Sequence, residues 1–133
     1  MTTPDSRLGL VVSHRRYVPH SHAHYGGSLV DGAYVLGLFG DVATEVCIRT
    51  DGDEGLFASY SDVQFRAAVQ AGDVLEVTAT VTRVGTRSRD VDLQATVVAR
   101  SRAGAAPSSA HLLDPPLVAV TARGTLVVPP PPS

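Results

Sequence analysis

Lysine is missing from this sequence altogether: all 11 basic residues are arginines. Without lysine there is no lysine Schiff base, which excludes pyridoxal phosphate chemistry and class I aldolase chemistry. Asparagine and tryptophan are missing too, a pattern that fits a GC-rich coding bias. The single cysteine, Cys47, has no partner for an internal disulfide, which fits a reducing cytoplasm, the expected location. No apolar run approaches the roughly 20 residues of a membrane-spanning helix, so no membrane partner is expected. Met1 to Leu10 lacks the basic start and apolar stretch of a secretory signal. The net charge of −2 gives nucleic-acid binding no support.

What is present points to one domain. The 133 residues are enough for one and too few for two, so a single domain is expected over residues 1–128, with the proline-rich 129–133 as a disordered tail. Leu8 to Val18 reads as a strand closed by Pro19. His20 to Gly27 is a histidine-rich loop. From Leu29 to Arg49 apolar residues cover most of the circumference of a helix, which predicts burial on most sides. Asp51-Gly52-Asp53-Glu54-Gly55 is a turn that ends it. Leu56 to Arg66 reads as the next strand. Val74 to Val84 and Val91 to Ala99 alternate apolar and polar residues, and Gly85 to Ser88 is a hairpin loop between them. Arg102 to Pro116, rich in small residues and proline, reads as a mobile loop, and Val118 to Val128 as the last strand.

Strand, long helix, then four strands predict an α+β hotdog fold, a long central helix wrapped by a five-stranded antiparallel sheet. One such sheet leaves part of the helix and an edge strand uncovered, so a homodimer or a higher assembly of dimers is expected.

Three features carry chemistry. Asp41 and Glu45 sit four apart among apolar helix residues and share one face. Two buried carboxylates in proximity split their titrations, so one serves as base and the other holds a proton. The alternative is that Arg49, one turn on, pairs with Glu45. Second, His20, His22 and His24 alternate ahead of the helix. No cysteine or nearby carboxylate completes a ligand set, so no metal is expected, and His24 is a candidate catalytic residue. Gly26, Gly27 and Gly32 flank the helix start, whose free N–H groups suit a ligand oxygen on which negative charge develops, as the carbonyl would be in an acyl-thioester enzyme. Third, Tyr60, Asp62, Gln64 and Arg66 alternate on one strand, as a binding face or a solvated one. Arg66, Arg83, Arg87, Arg89, Arg100 and Arg102 are exposed candidates for holding phosphates.

The runs His24-Tyr25-Gly26-Gly27-Ser28-Leu29-Val30-Asp31-Gly32-Ala33, Leu38-Phe39-Gly40-Asp41-Val42-Ala43-Thr44-Glu45 and Asp51-Gly52-Asp53-Glu54-Gly55-Leu56-Phe57 closely resemble the 3-aminobutyryl-CoA ammonia lyases and are similar to β-alanyl-CoA ammonia lyases. The resemblance extends through Ala71-Gly72-Asp73 to Val128. It implies a hotdog fold and an acyl-CoA (or acyl-carrier-bound) thioester held between two subunits. It further implies reversible loss of ammonia from a 3-aminoacyl thioester without a cofactor. The substrate-binding residues expected are Tyr25, Gly26, Gly27, Asp31, Gly32, Tyr60 and Gln64. This sequence departs from the family pattern where His22 replaces an aspartate, Gln64 replaces a glutamate and Ala68 replaces a proline. The first two changes remove carboxylates that would attract an ammonium, so the resemblance does not carry over the identity of the amine. A thioesterase on the same fold is the competing expectation.

Overall fold

A computed structural model describes residues 5–102 and 106–130. The strands are β1 (Val11–Tyr17), β2 (Ala23–Tyr25), β3 (Leu29–Val30), β4 (Leu56–Phe65), β5 (Val74–Val84), β6 (Ser88–Ser101) and β7 (Ala110–Val127), and the long helix is α1 (Gly32–Asp51). Five of the strands form one antiparallel sheet in the order β1-β5-β6-β7-β4, and β2 pairs with β3 in a separate two-stranded ribbon.

Alternation decides which face of the sheet meets the helix. Leu75, Val77, Ala79 and Val81 of β5 and Val91, Leu93, Ala95 and Val97 of β6 are all buried. They pack with Val35, Leu38, Phe39, Val42, Val46 and Cys47 of α1. Each fully buried Phe, Leu or Val contributes roughly 1.5–3 kcal/mol. The polar alternates Glu76, Thr78 and Thr80 lie on the outer face.

α1 begins at Gly32, three residues later than the apolar pattern predicts. Leu29 and Val30 are strand residues paired with β2, Val30 buried in the core, and Asp31 (φ −73°, ψ 158°) is the cap at which the helix starts. Gly52, at φ 66°, closes the helix with its N–H donated to Ile48 O at 2.9 Å. The helix is not enclosed on all sides in one chain. Ala33, Gly37, Asp41, Thr44 and Ile48 form an exposed stripe along it.

β1 is shorter than expected, and β7 begins inside the predicted loop. The pairing of Ser101 with Ala110, Arg100 with His111 and Ala99 with Leu112 extends the β6–β7 ladder. Pro115 and Pro116 fit because they fall in the irregular stretch between Leu112 and Leu117, where no ladder N–H is needed. Residues 103–105 of that loop and 131–133 of the expected tail lie outside the described residues; Pro129 and Pro130 follow β7 with no regular structure.

Two of the six arginines read as exposed phosphate binders are internal clamps. Arg89 is 2% exposed and forks onto Asp51 through Nε (3.0 Å) and a terminal nitrogen (2.7 Å). It also donates to Gly85 O and Ser88 O, tying the end of the helix to the β5–β6 hairpin. Arg100 forks onto the fully buried Asp73 at 3.0 Å twice and donates to Ala68 O at 2.9 Å. Hydrophobic burial favoured neither site; the fork geometry of the guanidinium and its full complement of acceptors did.

Burial pushes the Cys47 thiol up to about 11. From the ordinary 9.0, that shift lowers the thiolate fraction at pH 8 by about 100-fold. Iodoacetamide at pH 8 is therefore expected to label the native protein at least that much more slowly than the urea-unfolded chain, measured by mass spectrometry. Equal rates would show that Cys47 is open to solvent.

Candidate active site

The segment ahead of the helix is bent by two successive residues with left-handed backbone, Gly27 (φ 73°) and Ser28 (φ 64°). Glycine takes this conformation freely, whereas Ser28 needs support from its surroundings. That support is a short ladder: Ala71 N–H donates to Ser28 O and Val30 N–H to Val69 O, both at 2.9 Å. The Asp73–Arg100 clamp holds the other side of the ladder, since Gln70 N–H donates to Asp73 at 2.8 Å.

The ladder delivers the chain to the helix start. The Asp31 carboxylate accepts from Tyr34 N–H at 3.1 Å, so Asp31 is a helix cap. Among the described residues nothing accepts from the N–H groups of Gly32 and Ala33. A Cβ at Gly32 would stand 2.5 Å from Phe65 Cε1, so a side chain there would have to displace the Phe65 ring. A cleft of about 490 Å3 opens at this point, lined by Tyr25, Asp31, Gly32, Phe65, Arg66 and Val69 among others. Gly26 and Gly27 lie in the turn at its approach. Unpaired N–H groups, a positive helix end and an apolar wall can hold an oxygen on which negative charge develops.

The two helix carboxylates are not buried as expected, and they differ. Asp41 is exposed on the open stripe and has no hydrogen-bond or ion-pair partner among the described residues. It lies nine residues beyond Gly32, about 13 Å along the helix axis. Glu45 accepts from His14 Nε2 at 2.8 Å and from Arg49 Nε at 2.7 Å. Those two bonds, the one from His14 first, hold its carboxyl below its ordinary value. Glu45 is thus an ionised tie between helix and β1, the pairing with Arg49 that the sequence allowed plus a histidine it had not singled out. His14 shares the inner side of β1 with Val12 and Arg16, a pattern of burial that the run Val11-Val12-Ser13-His14-Arg15-Arg16 does not announce by polarity.

The other candidates scatter. His24 packs edge-on against Tyr25 (4.7 Å), both exposed beside the cleft. His22 lies against the Tyr34 ring at 4.4 Å, and burial raises the Tyr34 phenol above its ordinary value. Among the described residues no three His, Cys, Asp or Glu side chains gather as metal ligands. Tyr60 donates its hydroxyl to Leu36 O at 2.9 Å, about one turn into the helix, and stacks on Phe57 at 4.1 Å; it does not line the cleft at the helix start. The expected shared face of Tyr60, Asp62 and Gln64 is broken by a bulge at Asp62 (φ 51°). Gln64 donates to Asp62 at 3.1 Å, and Asp62 lines a polar groove on the outer side of the sheet with Thr78 and Thr121.

Comparison with known proteins gives this geometry a context. The sequence pattern of the thioesterase superfamily matches residues 27–103. A 3-aminobutyryl-CoA ammonia lyase of Acetoanaerobium sticklandii is 50% identical over 107 residues, which is 80% of this chain and 85% of that one. The solved structure of β-alanyl-CoA:ammonia lyase from Clostridium propionicum superposes with a TM-score of 0.86 at 34% identity, covering 91% of this chain and 86% of that one. A hexameric hotdog-fold thioesterase of Campylobacter jejuni shares the fold at 17% identity, with a TM-score of 0.71 over 86% of this chain and 79% of that one.

Proposed function

Since this chain belongs to the 3-aminobutyryl-CoA ammonia lyase family, within the thioesterase superfamily, we propose that it is a carbon–nitrogen lyase acting on a CoA thioester. It reversibly eliminates ammonia, or another amine, from the β-carbon of a 3-aminoacyl-CoA. The likeness to a named lyase across four-fifths of the chain carries this reading.

The chemistry needs few parts. A thioester acidifies the α-hydrogen, and its removal puts negative charge on the carbonyl oxygen. The N–H groups of Gly32 and Ala33 donate to that oxygen. A carboxylate takes the α-proton, and the β-ammonium leaves with the carbon–nitrogen electron pair. Asp41 is the base that fits, because its carboxylate is not engaged elsewhere, unlike that of Glu45.

Asp41 is too far from the helix start of its own chain to share a substrate with it. A second copy supplies the missing half. β4 is a sheet edge with Leu56 73% and Phe65 57% exposed, and the first half of the exposed helix stripe carries the small residues Ala33 and Gly37. Both features favour close pairing with a like surface. A two-fold axis near Gly37 brings Ala33 of one copy to Asp41 of the other, because residues 33 and 41 are equally far from 37. The thioester then lies between two subunits, one presenting N–H groups and the other the base.

A thioesterase reading draws on the superfamily match and on His22 and Gln64, which stand where the family pattern has carboxylates. The same N–H groups would hold a tetrahedral oxyanion, with Asp41 activating water. Incubation with crotonyl-CoA and ammonium, followed by mass spectrometry, separates the two. The lyase accumulates 3-aminobutyryl-CoA; free crotonate with no amine adduct would replace it with a thioesterase.

A further inference from the structure

With no lysine in the chain, the side-chain positive charge that meets a polyanionic ligand must come from arginine or histidine. Seven of the 11 arginines stand within 4 Å of a carboxylate. Among the described residues Arg16, Arg66, Arg87 and Arg102 do not. Arg16 donates to Arg15 O and lies beside the His14 ring. Arg87 donates to Val128 O, near the end of the last strand. Arg66 donates to the Thr121 hydroxyl. Arg102 engages only its backbone, N–H to Ser109 O at 2.8 Å, so its guanidinium has no protein partner among the described residues.

Arg102 lines a recess of about 470 Å3 together with His20, Ser28, Gln70, Ser101 and Ser109. The recess adjoins the cleft. Ser28 and Ala71 line the one, Val30 and Val69 line the other, and these four residues are the two rungs of the ladder that positions the helix start. A ligand with its acyl end in the cleft crosses that ladder to reach the recess. The recess has a cation, a histidine and three hydroxyls, and among the described residues no carboxylate lines it. Phosphate oxygens are bound by this kind of donor set.

We propose that this recess binds the phosphorylated nucleotide end of coenzyme A, with Arg102 as the main phosphate ligand and His20, Ser101 and Ser109 as further donors. The assignment rests on the CoA-thioester reading above and narrows it, since a carrier-bound thioester has no nucleotide.

The test uses the full chain, 3′,5′-ADP as the nucleotide probe, and two substrates, crotonyl-CoA and crotonyl-pantetheine, each with ammonium. Arg102→Ala is expected to weaken 3′,5′-ADP binding in calorimetry about tenfold, the loss expected for a charge-assisted hydrogen bond. It should raise KM for crotonyl-CoA by a similar factor and leave kcat/KM for crotonyl-pantetheine within about twofold. Arg123→Ala removes the same charge from an exposed position on the sheet, paired only at 3.7 Å, and should change none of these. The proposal is overturned if the unaltered protein does not bind 3′,5′-ADP, if Arg102→Ala binds it normally, or if both thioesters suffer equally. Binding of 3′,5′-ADP that depends on Arg102, in a protein that aminates no enoyl thioester, would uphold the nucleotide site and overturn the lyase reading instead.

Discussion

Asp41→Asn lowers turnover of a 3-aminoacyl-CoA by about 10²-fold or more, the contribution expected of a general base. The change keeps the shape of the side chain and removes its basicity. It breaks no bond seen in one chain, because Asp41 is exposed and unpaired among the described residues. Thermal unfolding and KM should therefore stay close to those of the unaltered protein while kcat falls. Glu45 makes the informative contrast. Its two bonds, to His14 and Arg49, belong to the joint between β1 and α1, so its removal acts first on that joint. Steady-state kinetics on both variants, with circular dichroism to check the fold, decides the matter. Full activity in a folded Asp41→Asn protein would move the base to Glu45 or His24.

The periodic parts of the chain were readable from the sequence. The alternation in β5 and β6 gave both strands and their buried faces, because each is half covered and each slip in register would bury threonines and glutamate. The helix was readable in extent but not at its start. Leu29 and Val30 continue the apolar pattern of α1, and only their pairing with Ala23 and Tyr25 marks them as strand. The Asp31-Gly32 step was the local sign of the true cap. The bulge at Asp62 left no such sign. A non-glycine residue at φ 51° is set by the register of β4 against β7, and that one residue separates Tyr60 from Gln64. The open stripe was only half readable. A carboxylate among apolar helix residues was visible as an anomaly, but whether it is buried depends on a second copy of the chain. The fates of Arg89 and Arg100 were hidden for a similar reason: Asp51 and Asp73 lie 38 and 27 residues away in sequence.

If the site is shared between two copies, two inactive variants must repair each other. Asp41→Asn removes the base and leaves the helix start intact. Gly32→Val leaves Asp41 intact and fills the helix start, because a Cβ at position 32 would meet the Phe65 ring at 2.5 Å. Each variant alone is expected to be nearly inactive. In a dimer of one copy of each, one site carries both defects and the other carries neither. Random pairing from an equal mixture makes about half of the dimers mixed, each with one intact site of two, so about a quarter of the unaltered activity should return. Co-expression or joint refolding supplies the mixture, and formation of 3-aminobutyryl-CoA from crotonyl-CoA and ammonium measures it. Gly32→Ala, a smaller intrusion, serves in place of Gly32→Val if the latter fails to fold. Were base and N–H groups drawn from the same chain, every site in the mixture would keep one defect, and activity would stay at the level of the separate variants.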